Sequence, residues 1–293
     1  MNRGKGIDLN RLEQLRKRAI RDIILCTFLV GPLFIAGGIA LFIFVSGIYF
    51  IGVVLIAWGI MIIGSAFTIG ISRFSEPYQD YAIPHVLNAY MSDFMYNAEL
   101  GMSAEDIRDL QIIKQGDAFK STEYLYGVYK GIPIEQADII MYTESGTMGF
   151  YRRLFKGRWI SFETGAYFKT KIRILEKSAK SVAVIKNDFL KEVTLNDELF
   201  NKRFTAVAQD PAEVKFILTT YVTEALCKFA DATRGKLIMF FSGKKLHIGI
   251  YGAKRLFKVK LSEQVTEEGM KKLVLGDMMP VLNLADAVVK DLA

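Results

Sequence analysis

Residues Ile23 to Ser72 read IILCTFLVGPLFIAGGIALFIFVSGIYFIGVVLIAWGIMIIGSAFTIGIS, fifty positions without one Asp, Glu, Lys or Arg. A bilayer core of about 30 Å takes roughly 20 apolar helical residues, and this tract holds two such segments. It predicts a transmembrane hairpin of Ile23–Val45 and Ile48–Ile71, turning around Ser46-Gly47 and leaving everything after Arg73 on one side of a membrane. A secretory signal over residues 1–45 is the competing expectation. It is set aside because a second, equally apolar span follows at once and no small-x-small cleavage site precedes a polar region.

The charge distribution orients the hairpin. Residues 1–22 carry seven basic side chains (Arg3, Lys5, Arg11, Arg16, Lys17, Arg18, Arg21) against three acidic ones (Asp8, Glu13, Asp22), so +4 of the chain's +7 lies there and +3 remains for the rest. Lys and Arg beside a span are retained in the cytoplasm. The basic flank, the uncharged turn and the exit into Arg73 therefore place both termini in the cytoplasm. So weak a positive balance over the rest is not that of a nucleic-acid binder. Cys26 lies in the first span and Cys227 on the apolar side of an expected helix, so no disulfide joins them. With two His and two unrelated Cys the chain lacks a zinc spacing, and no metal or cofactor is expected.

Four regions follow from this: a basic amphipathic flank over 1–22, the hairpin over 23–72, membrane-proximal helices over 73–120 and a cytoplasmic α+β domain over 121–293. Leu9, Leu12, Leu15, Ala19 and Ile20 recur at helical spacing in the flank, which reads as topogenic charge or as a helix lying on anionic lipid. In the spans, Pro32 and Gly37-Gly38 are expected to bend the first helix, and Ala36/Ala40 and Ala66/Gly70 are small-residue pairs suited to close packing. Tyr78–Leu100 reads as helix kinked near Pro84. A short helix follows, capped by Ser103, with Ile107, Leu110 and Ile113 on one side.

Beyond residue 120 the period changes to that of strands. Tyr124–Tyr129, Ile134–Tyr142, Arg158–Glu163, Ile172–Val184 and Phe204–Ala208 are rich in β-branched and aromatic residues and predict an antiparallel sheet. Asp210-Pro211-x-Glu213 opens a helix whose apolar stripe runs from Val214 to Phe229. Lys236–Phe241 and Leu246–Tyr251 read as a hairpin around Ser242-Gly243, and residues 266–292 as one or two closing helices.

Chemistry is harder to find. His85 and His247 have no Ser, Cys or carboxylate at a spacing that names a triad, and both read as surface or sheet-face residues. Ser178-Ala-Lys180-Ser181 is a Ser/Lys arrangement only by composition. There is no phosphate-binding glycine loop, dinucleotide fingerprint or metalloprotease signature. The carboxylates Glu123, Asp138, Glu144 and Glu163 are scattered. The unusual segment is Phe150-Tyr-Arg-Arg-Leu-Phe-Lys-Gly-Arg-Trp159, four cations among four aromatics. Arg152, Arg153, Phe155, Lys156, Arg158 and Trp159 are the candidate contacts to a membrane or partner. The alternative is a hairpin that buries Leu154, Phe155 and Trp159 and leaves the cations solvated. Lys244, Lys245, Lys254, Arg255, Lys258 and Lys260 form a second basic group.

Several short motifs resemble a bacterial family, DUF3137. They are Phe155-Lys-Gly-Arg158 before Trp159, Asp197-Glu-Leu-Phe-Asn-Lys-Arg-Phe204, and Ala208-x-Asp210 leading to Leu218-Thr219. In that family the last motif continues into proline, where this chain has Thr220. The resemblance covers about residues 120–260 and the hairpin architecture. It implies a bacterial inner-membrane protein with a cytoplasmic α+β domain, its motifs marking core and turn positions, and it implies no mechanism. The expected function is a non-enzymatic interaction or scaffold module recruiting a protein partner or anionic lipid through residues 150–159. The alternatives are an enzyme on a lipid or membrane-proximal substrate, with carboxylates assembled by the fold, and an oligomeric membrane assembly. The spans carry no ionisable residue, which argues against an ion pathway.

Overall fold

The computed structural model describes residues 8–44, 47, 49–114, 116–145, 150–179, 181 and 190–292. The chain forms two compact units, residues 1–83 with 257–274, and residues 84–256 with 275–293. The expected Ser46-Gly47 and Ser145-Gly146 turns, the end of the Ile172–Val184 strand and Lys180 of the Ser/Lys arrangement fall wholly or partly outside the described residues.

In the first unit, helix α1 (Leu9–Leu25) leads through a π-helical turn, Cys26–Val30, into α2 (Gly31–Phe44), and α3 (Tyr49–Leu87) returns. Pro32 lacks an N–H, so the helix cannot keep its ordinary ladder there. The chain absorbs the defect one turn earlier, where the Gly31 N–H reaches five residues back to the Cys26 carbonyl. The two helical arms, Leu9–Phe44 and Tyr49–Leu87, are long and apolar enough to cross a membrane. At 1.5 Å per residue each exceeds about 50 Å, longer than the roughly 30 Å hydrocarbon core.

The arms meet through glycines. A Cβ on Gly38 would lie 2.5 Å from the Gly52 carbonyl, and one on Gly52 would lie 2.7 Å from the Gly38 carbonyl. Gly31 and Gly59 repeat the contact one heptad away, against Ile63 and Ile35. Gly70 packs on Ile23 as expected of the Ala66/Gly70 pair, but Ala36 and Ala40 are exposed. The glycines at heptad spacing, rather than the Ala36/Ala40 pair, bring the helices together. The flank helix buries Leu12, Ala19 and Ile23, while Leu9, Leu15 and Ile20 of its apolar stripe are half-buried. Arg16 is buried with them. Its Nε and Nη2 donate to the two Glu13 oxygens at 2.8 and 2.6 Å, its Nη1 donates to the Leu261 carbonyl at 2.7 Å, and Glu13 accepts from the Val265 N–H. These contacts tie α1 to the 261–265 segment and hold the Glu13 carboxyl down at about 2, chiefly through the Arg16 hydrogen bond.

The second unit is an antiparallel sheet with packed helices, the α+β class expected. Strands β1 (Ser92–Asn97), β2 (Ala118–Tyr129), β3 (Ile132–Ser145), β4 (Phe150–Glu176), β5 (Lys191–Val193), β6 (Phe204–Ala208) and β7 (Lys236–Tyr251) follow the order β1-β2-β3-β4-β6-β5, with β7 along the other edge of β4. Two strand expectations fail informatively. Ser92–Asn97 is a strand where helix was expected, because it pairs antiparallel with β2. Lys236–Tyr251 is one strand, not a hairpin: Gly243 at φ +60° makes a kink opposite Phe168, while β4 shifts register on both sides of the same point. Bending both strands together leaves N–H groups unpaired in β4. The Glu213 carboxylate caps those of Lys169 and Thr170 at 2.9 and 3.0 Å.

The helices of this unit are α4 (Ala104–Arg108), α5 (Glu198–Arg203), α6 (Pro211–Ile217), α7 (Thr220–Ala232) and the end of α8 (Glu267–Leu292). Ser103 caps α4 as expected, though the helix stops at Arg108. The long helix expected from Asp210 to Phe229 is two, α6 and α7. Leu218 leaves the helical region and the Thr219 hydroxyl caps the new start by accepting from the Val222 N–H. One stripe of apolar residues can be shared by two helices, so periodicity alone missed the break. Helix α8 passes through Pro280 unbroken as a single element.

Candidate functional site

The 150–159 segment is the first part of β4. Ile140 pairs with Lys156 and Met141 with Phe155, but Tyr142 pairs with Arg153, so Leu154 is an extra residue in β4. The bulge changes the side-chain alternation between residues 150–153 and residues 155–159. Phe155 and Trp159 enter the core with ring centroids 6.3 Å apart. Trp159 lies over Gly249, where any Cβ would sit 2.8 Å from the indole. Arg158 projects from the other face and is only 7% exposed. Its Nη2 lies 3.1 Å from Asp138 and 2.9 Å from the Lys254 carbonyl, and its Nε donates to Asp138 at 3.2 Å. The six candidates therefore divide. Phe155, Arg158 and Trp159 are held inside, whereas Arg152, Arg153 and Lys156 are exposed beside Tyr151 and pair with no described residue.

Of the four carboxylates, Glu144 and Glu163 lie exposed on separate strands, and Glu123 and Asp138 are neighbours. Glu123 stands at φ +59° where β2 shifts register against β3, an unfavourable conformation for this residue type. It accepts from the Tyr96 hydroxyl at 2.5 Å and from the Arg255 guanidinium. Burial pushes the Asp138 carboxyl up, against the pull of Arg158. An arginine keeps its proton throughout the ordinary pH range, so the Arg158 charge opposes that upward push on Asp138. Each acid thus carries its own arginine, and neither is presented as a free base. The second basic group does not gather either: Arg255 is engaged here, Lys245 reaches Glu135, and Lys260 pairs with Glu263.

A further polar row runs across the sheet, where Glu135 of β3, Ser161 of β4 and His247 of β7 are cross-strand neighbours. Sequence reasoning missed Glu135 and Ser161, since only the strand register aligns them. Ser161, almost fully buried, donates to Glu135 at 2.7 Å, and Tyr124 and Lys245 reach the same carboxylate at 3.3 and 3.4 Å. Burial, reinforced by the Lys245 charge, holds His247 down at about 4, so its imidazole is neutral. The serine proton points to the glutamate rather than to the histidine, which is not the order in which a base activates a nucleophile. A cleft of about 460 Å³ between α7 and α8 is lined by Tyr221, Ala225, Phe229, Gly276 and Pro280. Its charged residues, Glu224 and Lys228, lie 3.4 Å apart as an ion pair.

The motif residues noted in the sequence are structural in the same way. Gly157 faces the Ile250 carbonyl so closely that no side chain fits. Asp197 caps α5 by accepting from the Phe200 N–H and also accepts from the Thr223 hydroxyl. Asn201 bonds both the N–H and the carbonyl of Leu195, and Phe200 stacks on Phe204 at 5.1 Å. The family model of DUF3137, described as a protein of unknown function, matches residues 153–290. That range contains every quoted motif and bears out the resemblance, while the membrane-competent hairpin lies outside it. No curated protein matches the chain. Among solved structures, the crystal structure of the mycobacterial trehalose monomycolate transport factor A, TtfA, is similar with a TM-score of 0.40 and 9% identity, over 75% of this chain and 96% of that one. A likeness at that level carries no argument about role.

Proposed function

We propose that the chain is an inner-membrane protein of bacteria with both termini in the cytoplasm. In this reading the hairpin is an anchor, and the sheet unit is a non-enzymatic module that recruits a protein partner with an acidic surface. The observation that carries it is the exposed start of β4: Tyr151 is 61% exposed, and Arg152, Arg153 and Lys156 have no described acidic partner. Exposed cations with no described acidic partner, beside an aromatic, are what a contact surface needs for steering and anchoring. The test is in-cell crosslinking of the full-length protein, then purification from native membranes and mass spectrometry. A stoichiometric second protein should be recovered with the wild type and be lost with Arg152→Gln, Arg153→Gln and Lys156→Gln together. Recovery of the same partner with the triple variant would remove this segment from the role.

One observation favours a second reading, self-assembly through the hairpin. Ala36 and Ala40 are a small-residue pair that the hairpin itself leaves exposed, suited to close approach of a neighbouring helix. The same crosslinking would then return the protein joined only to itself, and Ala36→Leu/Ala40→Leu would abolish that product.

A further inference from the structure

Where α1 and α3 emerge from the apolar tract, a groove of about 500 Å³ opens between them. Its walls run from Leu15 to Cys26 on one helix and from Ile62 to Arg73 on the other, about 16 Å along each axis. The end nearer the apolar tract is lined by Leu25, Ile62 and the small residues Cys26, Ser65 and Ala66. Ser65 offers it no free donor, since its hydroxyl donates to the Ile62 carbonyl of its own helix. The opposite end carries Arg18, Asp22 and Arg73. The basic residues of α1 are not alike here. Arg16 and Lys17 are committed to Glu13, and Arg21 to Asp22. Arg18 pairs with no described residue, nor does Arg73 facing it from α3, and both are exposed.

We propose that this groove binds one singly anionic phospholipid of the surrounding bilayer, with its phosphate between Arg18 and Arg73 and its upper acyl chain against Ala66 and Cys26. Three features combine in it: an apolar wall, a polar rim at the point where the charge-free tract ends, and two arginines on that rim that pair with no described residue. Basic pockets between helices at the membrane boundary recognise lipid headgroups by this combination. The groove's own charged residues, two arginines against one aspartate, sum to +1 and complement a single negative charge. The inference rests on the reading that the hairpin crosses the bilayer. It concerns a different surface from the start of β4.

The test uses full-length protein in detergent, titrated with phosphatidylglycerol or phosphatidylcholine and examined by native mass spectrometry. Wild type should retain one phosphatidylglycerol in preference to phosphatidylcholine. Arg18→Gln/Arg73→Gln should lose about tenfold or more of that adduct, given roughly 1 kcal/mol per cation at an anionic surface. Ala66→Phe, which keeps both charges but fills the wall, should lose it as well. The charge-matched Lys169→Gln/Lys171→Gln should bind like wild type. Equal retention of the two lipids, an unchanged adduct in Arg18→Gln/Arg73→Gln, or an equal loss in the charge-matched variant would overturn the site. Release of the wild type from native membranes by alkaline carbonate would instead overturn the anchor reading, so the two failures are distinguishable.

Discussion

At Arg158 a cation that the sequence groups with Arg152, Arg153 and Lys156 is held off the surface by Asp138 and the Lys254 carbonyl. Strand alternation puts Phe155 and Trp159 on one face and Lys156 and Arg158 on the other, and of that second pair only Arg158 lies opposite Asp138 in β3. Breaking a buried pair leaves an uncompensated charge and costs about 3–5 kcal/mol. Arg158→Ala should lower stability by that order in urea denaturation of the full-length protein, and Asp138→Asn added to it should recover part of the loss. His247 gives a pH-dependent counterpart. Its folded value near 4 lies below the 6.5 of an unperturbed histidine. Between those values the unfolded chain takes up a proton that the folded chain refuses. The stability present above pH 6.5 is therefore lost as pH falls toward 4, by about 3 kcal/mol in all. His247→Phe should flatten that slope, and an unchanged slope would assign it to other groups.

At the scale of elements, the motif ending Leu218-Thr219-Thr220 gains a physical meaning. Thr219 is the cap of α7, with φ −64° and ψ 166°, and Thr220 is the first helical residue. The extended conformation at Thr219 is what a following proline requires, and the first helical N–H has no partner to lose. Thr220→Pro, the residue the family resemblance places there, should therefore be tolerated or stabilise by about 0.4–1 kcal/mol. A loss of more than 1 kcal/mol in thermal or urea unfolding would show that the break between α6 and α7 is not this cap. The same reasoning explains why one helix was expected: the apolar stripe continues across the break, and only the cap geometry reveals it. Ser92–Asn97 was illegible for a related reason. Its alternation of Phe94 and Tyr96 is too short to oppose the helical pattern before it, and pairing with β2 decides its state.

For the whole molecule, the two membrane-competent arms and the charge balance around them lead to a direct test of orientation. Reporter fusions at residue 47 should read outside the cytoplasm, and fusions after Ala293 should read inside. The reverse pattern would turn the sheet unit to the far side and remove the cytoplasmic partner with it. A third pattern, both fusions inside, would mean that the arms do not cross the bilayer.

Fifty residues without a charge determined the two long apolar helices, because the cost of burying charge in hydrocarbon shapes composition directly, residue by residue. Strand-period segments likewise determined the antiparallel sheet class, since alternation is a local property. The tertiary structure alone decided the rest. Glycine contacts rather than alanine pairs close the hairpin, and strand register aligns Glu135, Ser161 and His247. Register also sets Arg158 opposite Asp138 but Lys156 opposite Ile140, so the first is buried and paired and the second exposed. These depend on which backbone lies opposite which, and that is a relation between distant parts of the chain that no single stretch of sequence contains.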